Sequence, residues 1–296
     1  MFTSKNLIMQ FTALNIILVP IDFSENSLNA LDTAIAIAKR QKARLILLHV
    51  FSTNPSIVYP QLGIATDFIY AKFSESPEKE LQILAEKIKE GHSLECQAVV
   101  VPGAVCPVIT EQASTLKADL IVMGTHGVSG LREFFMGSCA YAVLKNAPCP
   151  VLTIPAYHKW EHFKKILFPV RAMANAIEKY QVARSIIQKN KAELIVMGLL
   201  EIDSPVTFDS LNEDAIKLVE ILKEDKVKLD TKFYFCDSFA QKILDKAKAL
   251  KVDLVIVTAN LDYKIQDFFI GPFAQQIVNH AKVPVLSIRP TPQQAS

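Results

Sequence analysis

Ala118-Asp-Leu-Ile-Val-Met-Gly124-Thr-His-Gly127-Val-Ser-Gly130, running on through Leu-Arg-Glu-Phe-Phe-Met to Gly137-Ser138, carries the pattern that decides the fold. Leu120–Met123 is a short unbroken run of apolar residues, as a strand covered on both faces requires. Glycines follow, and then Ala140, Val143, Leu144 and Ala147 fall at i, i+3, i+4 and i+7, the spacing of an apolar helix stripe. The unit is strand, glycine loop, helix. Working outward, Ile16–Ile21, Leu45–Val50, Ala98–Val101 and Val151–Ile154 read as further strands. Between them lie helical stripes at Leu31, Ala34, Ile35 and Ala38, and at Leu81, Leu84, Ala85 and Ile88. Alternating strands and helices with right-handed crossovers make an open parallel sheet with helices on both faces. Ligands of such sheets bind beyond the carboxyl ends of the strands, which directs attention to Asp22, Val50 and the residues after Met123.

The same chain carries the pattern twice. Asn15-Ile-Ile-Leu-Val-Pro-Ile-Asp22 returns as Lys164-Lys-Ile-Leu-Phe-Pro-Val-Arg171, and Ala118-Asp-Leu-Ile-Val-Met123 as Val252-Asp-Leu-Val-Ile-Val257. Phe134-Phe-Met-Gly137 returns as Phe268-Phe-Ile-Gly271, and Pro150-Val-Leu-Thr-Ile154 as Pro284-Val-Leu-Ser-Ile288. The order is kept, but the second copy is shorter. The expected place for the difference is the stretch from Thr53 to Pro77, with Pro55, Pro60 and Gly63. A repeat this long implies two similar domains. They are placed at residues 14–155 and 163–290, with Pro155 to Phe163 as linker.

Composition agrees. The chain has 296 residues, half of them apolar, enough for two cores. Its 32 Lys+Arg against 30 Asp+Glu leave a net charge of +2 with no basic block, so nothing marks it for nucleic acid or an anionic membrane. Cys96, Cys106, Cys139, Cys149 and Cys236 are odd in number and form no C-x-x-C pair, as expected of reduced thiols in a cytoplasmic protein. Leu7 to Ile21 is broken by Gln10, Thr12 and Asn15 and is short for a membrane span; its second half reads as the first strand.

The glycine loop carries the chemistry. Gly124, Gly127 and Gly130 can take backbone angles closed to other residues. Gly137 and Ser138 stand where a helix begins, and there free N–H groups and the positive dipole end favour an anion. A phosphate cradle and a tight turn are both compatible with this spacing alone. There is no G-x-x-x-x-G-K-[ST] loop, and the glycines follow the fourth strand rather than the first, unlike a dinucleotide-binding domain.

G-x-x-G, nine residues and G-S, here Gly124, Gly127, Gly137 and Ser138, resembles the signature of ATP-binding members of the universal stress protein family. Ile17-Leu-Val-Pro-Ile-Asp22 with Ser24 and Ser27, Leu47-Leu-His-Val50 and Ala147-Pro-Cys-Pro-Val-Leu152 extend the likeness over nearly the whole chain. The resemblance implies an α/β fold of two tandem Rossmann-like (adenine nucleotide alpha hydrolase-like) domains, each an open five-stranded parallel sheet with helices on both faces. It implies a regulatory, ATP-binding protein, with Mg²⁺ accompanying the phosphates. Carried over by position, Asp22 holds the ribose side of the nucleotide with Pro20 and Ile21 beside it. Val50 packs on adenine, and Met123 and Gly124 lie under the nucleoside. Gly127, Gly137, Ser138 and Cys139 bind phosphates. The family also pairs domains through their last strands, which implies contact of Val151–Ile154 with Val285–Ile288 and a further homodimer.

The second copy departs from the motif. Asp22 becomes Arg171, Gly124 Thr258, Gly127 Leu261, Gly130 Lys264 and Ser138 Pro272, while Gly271 alone is kept. Each lost partner costs about 1–3 kcal/mol. Three together weaken affinity roughly a thousandfold or more. ATP is therefore expected on the first domain only. Two rivals stay open: a slow ATPase or nucleotidyl transferase with Asp22 and His126 as its candidate groups, and an interaction module that holds no nucleotide. Among the remaining residues, His49 reads as a hydrogen-bonded strand residue, Ser24 and Ser27 as caps, Cys106 and Cys149 as packing, and Trp160 as an inter-domain plug. Cys139, at a helix start, is expected to have a favoured thiolate.

Overall fold

The computed structural model describes residues 13–51, 76–125, 137–156, 158–170, 176–200, 208–259 and 272–289. In the first half the elements run β1 (Ile16–Pro20), α1 (Glu25–Gln41), β2 (Arg44–Phe51), α2 (Pro77–His92), β3 (Cys96–Pro102), α3 (Val105–Thr115), β4 (Leu120–Gly124), α4 (Ser138–Asn146) and β5 (Val151–Ile154). The second half repeats them as β6 (Lys165–Val170), α5 (Ala176–Asn190), β7 (Glu193–Leu200), α6 (Phe208–Glu224), β8 (Lys228–Phe235), α7 (Phe239–Ala249), β9 (Leu254–Thr258), α8 (Pro272–His280) and β10 (Val285–Ile288). The expected strands and helical stripes fall within these elements, except Ile21 and Ala147, each one residue past the end of its element. The second copy is shortened where expected: residues 52–76 link β2 to α2, whereas only 201–207 link β7 to α6.

Each half is a parallel sheet in the order 3-2-1-4-5, and the halves join through β5 and β10 into one ten-stranded sheet. That central pairing is antiparallel, with Leu286 opposite Leu152 and Val285 opposite Thr153. The Thr153 hydroxyl adds a bond of 3.2 Å to the Val285 carbonyl. Two apolar layers flank the sheet. One gathers α1, α2, α5 and α6 over residues such as Ile17, Val19, Leu45, Leu47 and Val122. The other gathers α3, α4, α7 and α8 over Leu18, Ile46, Leu48, Ile121 and Met123. Strand residues alternate between the layers because successive side chains point to opposite faces.

The recurring Asp of the repeat has a structural role. Asp119 accepts hydrogen bonds from the backbone N–H groups of Asn15 and Ile16 at 2.8 and 2.9 Å. Asp253 does the same for Lys164 and Lys165, both at 2.8 Å. Each carboxylate ties the start of its domain's first strand to the start of the fourth, at the end of the sheet away from the strand carboxyl termini. The linker is pinned as well. Asn29 donates to the Pro155 carbonyl at 3.2 Å, and Trp160 packs against the α1–α5 layer beside His158, as expected of a plug.

Candidate functional site

Strand order reverses between β1 and β4, so a crevice opens beyond their carboxyl ends. Asp22 stands there, held by its neighbours. Its Oδ1 accepts the backbone N–H of Ser24 at 3.0 Å and the Ser24 hydroxyl at 2.5 Å. Ser24 is the N-cap of α1, and its Oγ accepts the Ser27 N–H at 3.2 Å. One side chain thus caps the helix and aims the carboxylate. Ser27 lies inside the helix rather than at its cap, its hydroxyl returned to the Ser24 carbonyl at 3.0 Å. Between Asp22 and Ser24 the chain turns at Phe23, whose φ of 61° is left-handed and costly for a residue with a Cβ. His49 braces that turn. Its Nδ1 donates to the Ile21 carbonyl at 2.8 Å, and its ring lies 5.1 Å from that of Phe23.

The other expected residues converge from neighbouring elements. Val50 is the last residue but one of β2, on the α3–α4 side of the sheet, and Met123, buried, is the last but one of β4 on that same side. Pro20 closes β1 and Ile21 extends its ladder to β2 through a 2.8 Å bond to the Leu48 carbonyl. Cys139, in the first turn of α4, is half-buried and near enough to Asp22 to feel its charge. Gly127, with His126 and Gly130, lies outside the described residues.

Three expectations change in detail. Gly124 does not have the unusual backbone angle anticipated for it, since Gly103 is the positive-φ glycine of the described chain. Close approach is what excludes a side chain: a Cβ on Gly124 would lie 3.0 Å from the backbone oxygen of Asn26 in α1. Gly137 has its N–H engaged, bonded at 2.8 Å to the Thr125 carbonyl, which ties the residue before α4 to the end of β4. The first-turn amides of Ser138, Cys139 and Ala140 follow at this helix start, which carries no side-chain cap. The Cys139 thiolate, moreover, is disfavoured. Burial, the neighbouring Cys106 and the Asp22 charge all push its pKa up, outweighing the helix start.

The second domain places other groups at these positions. Its α8 begins with Pro272, which has no N–H, and Phe273 packs into the layer where the first domain has Cys139. Gly198 takes the strand position of His49, and the Phe233 ring fills the space a side chain there would need. Lys179 reaches from α5 to the Pro169 carbonyl at the end of β6, its Nζ 4.1 Å from the centre of the Phe168 ring. Arg171, Leu261 and Lys264 lie outside the described residues.

The sequence profile of the universal stress protein family matches residues 14–155 and 162–289. The chain belongs to the universal stress protein family. A universal stress protein of Methanocaldococcus jannaschii is 36% identical over 138 residues, 47% of this chain and 80% of that protein. Another, from Bacillus subtilis, is 34% identical over 150 residues, 47% of this chain and 98% of its own length. The crystal structure of a universal stress protein from Archaeoglobus fulgidus superposes with a TM-score of 0.74, covering 95% of this chain and 98% of that one at 19% identity, and shares the fold. This universal stress protein therefore contains two domains of the family in tandem. No helix among its described residues is long and apolar enough to cross a membrane.

Sequence inspection missed three features of the site: the bond from Ser24 to Asp22, the brace of His49 on the Phe23 turn, and the meeting of Cys106 with Cys139. The D-x-S spacing at Asp22 and Ser24 is a legible signal for the first, because an Asp two residues before a cap can form a local turn. The other two join residues far apart in the chain.

Proposed function

We propose that the first domain binds ATP or a related adenine nucleotide and that the protein acts as a regulatory stress-response component rather than as an enzyme. One observation carries this: an oriented carboxylate, Asp22, faces the start of α4 across the switch point of the sheet, with Val50 and Met123 forming an apolar floor on the same side. A nucleoside needs an apolar surface and a hydroxyl acceptor, and its phosphates need main-chain donors. Asp22 suits the ribose hydroxyls; Ser138, Cys139 and Ala140 suit the phosphates. Among the described residues no group of three His, Cys, Asp or Glu side chains could hold a metal. Where Mg²⁺ accompanies the phosphates, the Ser138 hydroxyl would offer it an oxygen. The ion would neutralise phosphate charge there.

The second domain, with Pro272 and Phe273 at its helix start, serves as packing partner and not as a second nucleotide site. Calorimetric titration of the full chain with Mg·ATP tests both statements. One nucleotide per chain is expected, lost in Asp22→Arg and in Ser138→Pro, the changes that copy the second domain's residues. A stoichiometry of two, or binding that survives both substitutions, overturns the assignment.

A further inference from the structure

Cys106 and Cys139 are each the second residue of a helix, α3 and α4. These helices pack side by side on one face of the sheet, which makes the two thiols neighbours, Cys106 being among the groups that act on Cys139. Both are half-buried and rest on the layer that includes Val50 and Met123. Asp22 acts on Cys139 from the other side. The remaining thiols are placed elsewhere: Cys96 in the opposite layer, Cys149 beyond the end of α4, Cys236 in the second domain. At the corresponding helix starts of the second domain stand Ala240 and Phe273. The pair accompanies the domain with the candidate site and is missing from its degenerate copy.

We propose that Cys106 and Cys139 are a modification site for peroxide oxidants, forming a reversible disulfide that draws α3 and α4 together beneath Asp22 and weakens nucleotide binding. The cross-link stands on the packing of the two helix starts; its effect on binding rests on the nucleotide assignment above.

Cys106 is the attacking group. Cys139, held protonated by burial and by Asp22, is the resolving thiol. The Cys106 sulfur attacks the peroxide, the O–O bond breaks, one oxygen stays on sulfur as a sulfenic acid and the other leaves as water or alcohol. The Cys139 sulfur then displaces that hydroxyl, which departs as water with the Cys139 proton. The two thiols lose two electrons and two protons, and the peroxide takes them up. Forming the bridge brings the two sulfurs to the ~2.05 Å of an S–S bond and so pulls the two helix starts toward each other. That shift falls on the first turn of α4, whose amides face the phosphates. Loss of one such bond weakens binding about tenfold.

The test treats the full chain with equimolar hydrogen peroxide, alkylates the free thiols and maps peptides without reduction. A Cys106–Cys139 cross-linked peptide, reversed by dithiothreitol, is expected. ATP affinity by calorimetry should fall about tenfold on oxidation and return on reduction. Cys106→Ser should bind like the reduced protein and lose the peroxide response. Free, alkylated Cys106 and Cys139 after oxidation, cross-links only between molecules, or overoxidised sulfur without a bridge would overturn the proposal. A bridge with unchanged ATP affinity overturns the gating. If the reduced protein binds no ATP, the nucleotide assignment fails and the gating with it, while the peptide map still decides the cross-link.

Discussion

Ser24 does two jobs with one hydroxyl. Removing it in Ser24→Ala takes the cap from α1, at about 1 kcal/mol of stability, and releases the Asp22 carboxylate. Urea denaturation should show the first loss and ATP calorimetry the second, as weaker binding; Ser24→Thr should recover most of both. A variant with lowered stability and unchanged ATP affinity would show that Ser24 is a cap only. Gly124 is equally constrained. A Cβ 3.0 Å from a main-chain oxygen has no flexible neighbour to displace, so Gly124→Ala should cost on the order of 1–3 kcal/mol by denaturation. In the second domain Lys179 is fully buried, and desolvation lowers its pKa to about 7. Its unfolded value is about 10.4. Between those values the unfolded chain holds one more proton than the native one, so stability should rise with pH from about 7 toward 10.4. Below about 7 the full cost of burying the charge is felt. Denaturation at a series of pH values should show this slope, and Lys179→Met should flatten it.

At the scale of elements, the two copies keep what the sheet needs and change what a ligand would touch. Asp119 and Asp253 clamp their first strands alike, at matching bonds of 2.8 to 2.9 Å. The helix starts differ, because only a site imposes chemistry on them. α4 opens with Ser138 after a glycine, α8 with Pro272, and proline suits a helix start while removing a donor. Ser138→Pro should therefore keep the helix and the melting temperature of the unliganded protein almost unchanged. It should abolish the rise in melting temperature with ATP. A retained rise would place the phosphates elsewhere.

Across the whole molecule, β5 and β10 merge the halves into one sheet, and Arg289 adds a 3.0 Å bond to the Ala147 carbonyl. Asn29 and the Lys159–Asp32 ion pair hold the linker on α1. Shared backbone bonding at the centre couples the two cores, so heat should unfold them together. Far-ultraviolet dichroism and the fluorescence of the linker Trp160 should report one coincident transition, which ATP raises as a whole. Two separated transitions would show that the halves unfold independently.

The amino-acid order by itself determined the repeat, the strand and helix pattern, the shortened β7–α6 connection and the positions at which the second copy lost its polar groups. Those features are local in the chain: periodicity, spacing and residue type act over a few positions, and a proline lacks an N–H wherever it is placed. Tertiary structure decided what depends on contact at a distance. Asn26 approaching Gly124 explains that glycine better than its own backbone angle, and the Gly137 amide is taken up by the Thr125 carbonyl. Cys139 and Cys106 come together only because two helices pack on one face of the sheet. There, desolvation and a neighbouring carboxylate overrule the helix dipole that the sequence around Cys139 suggested.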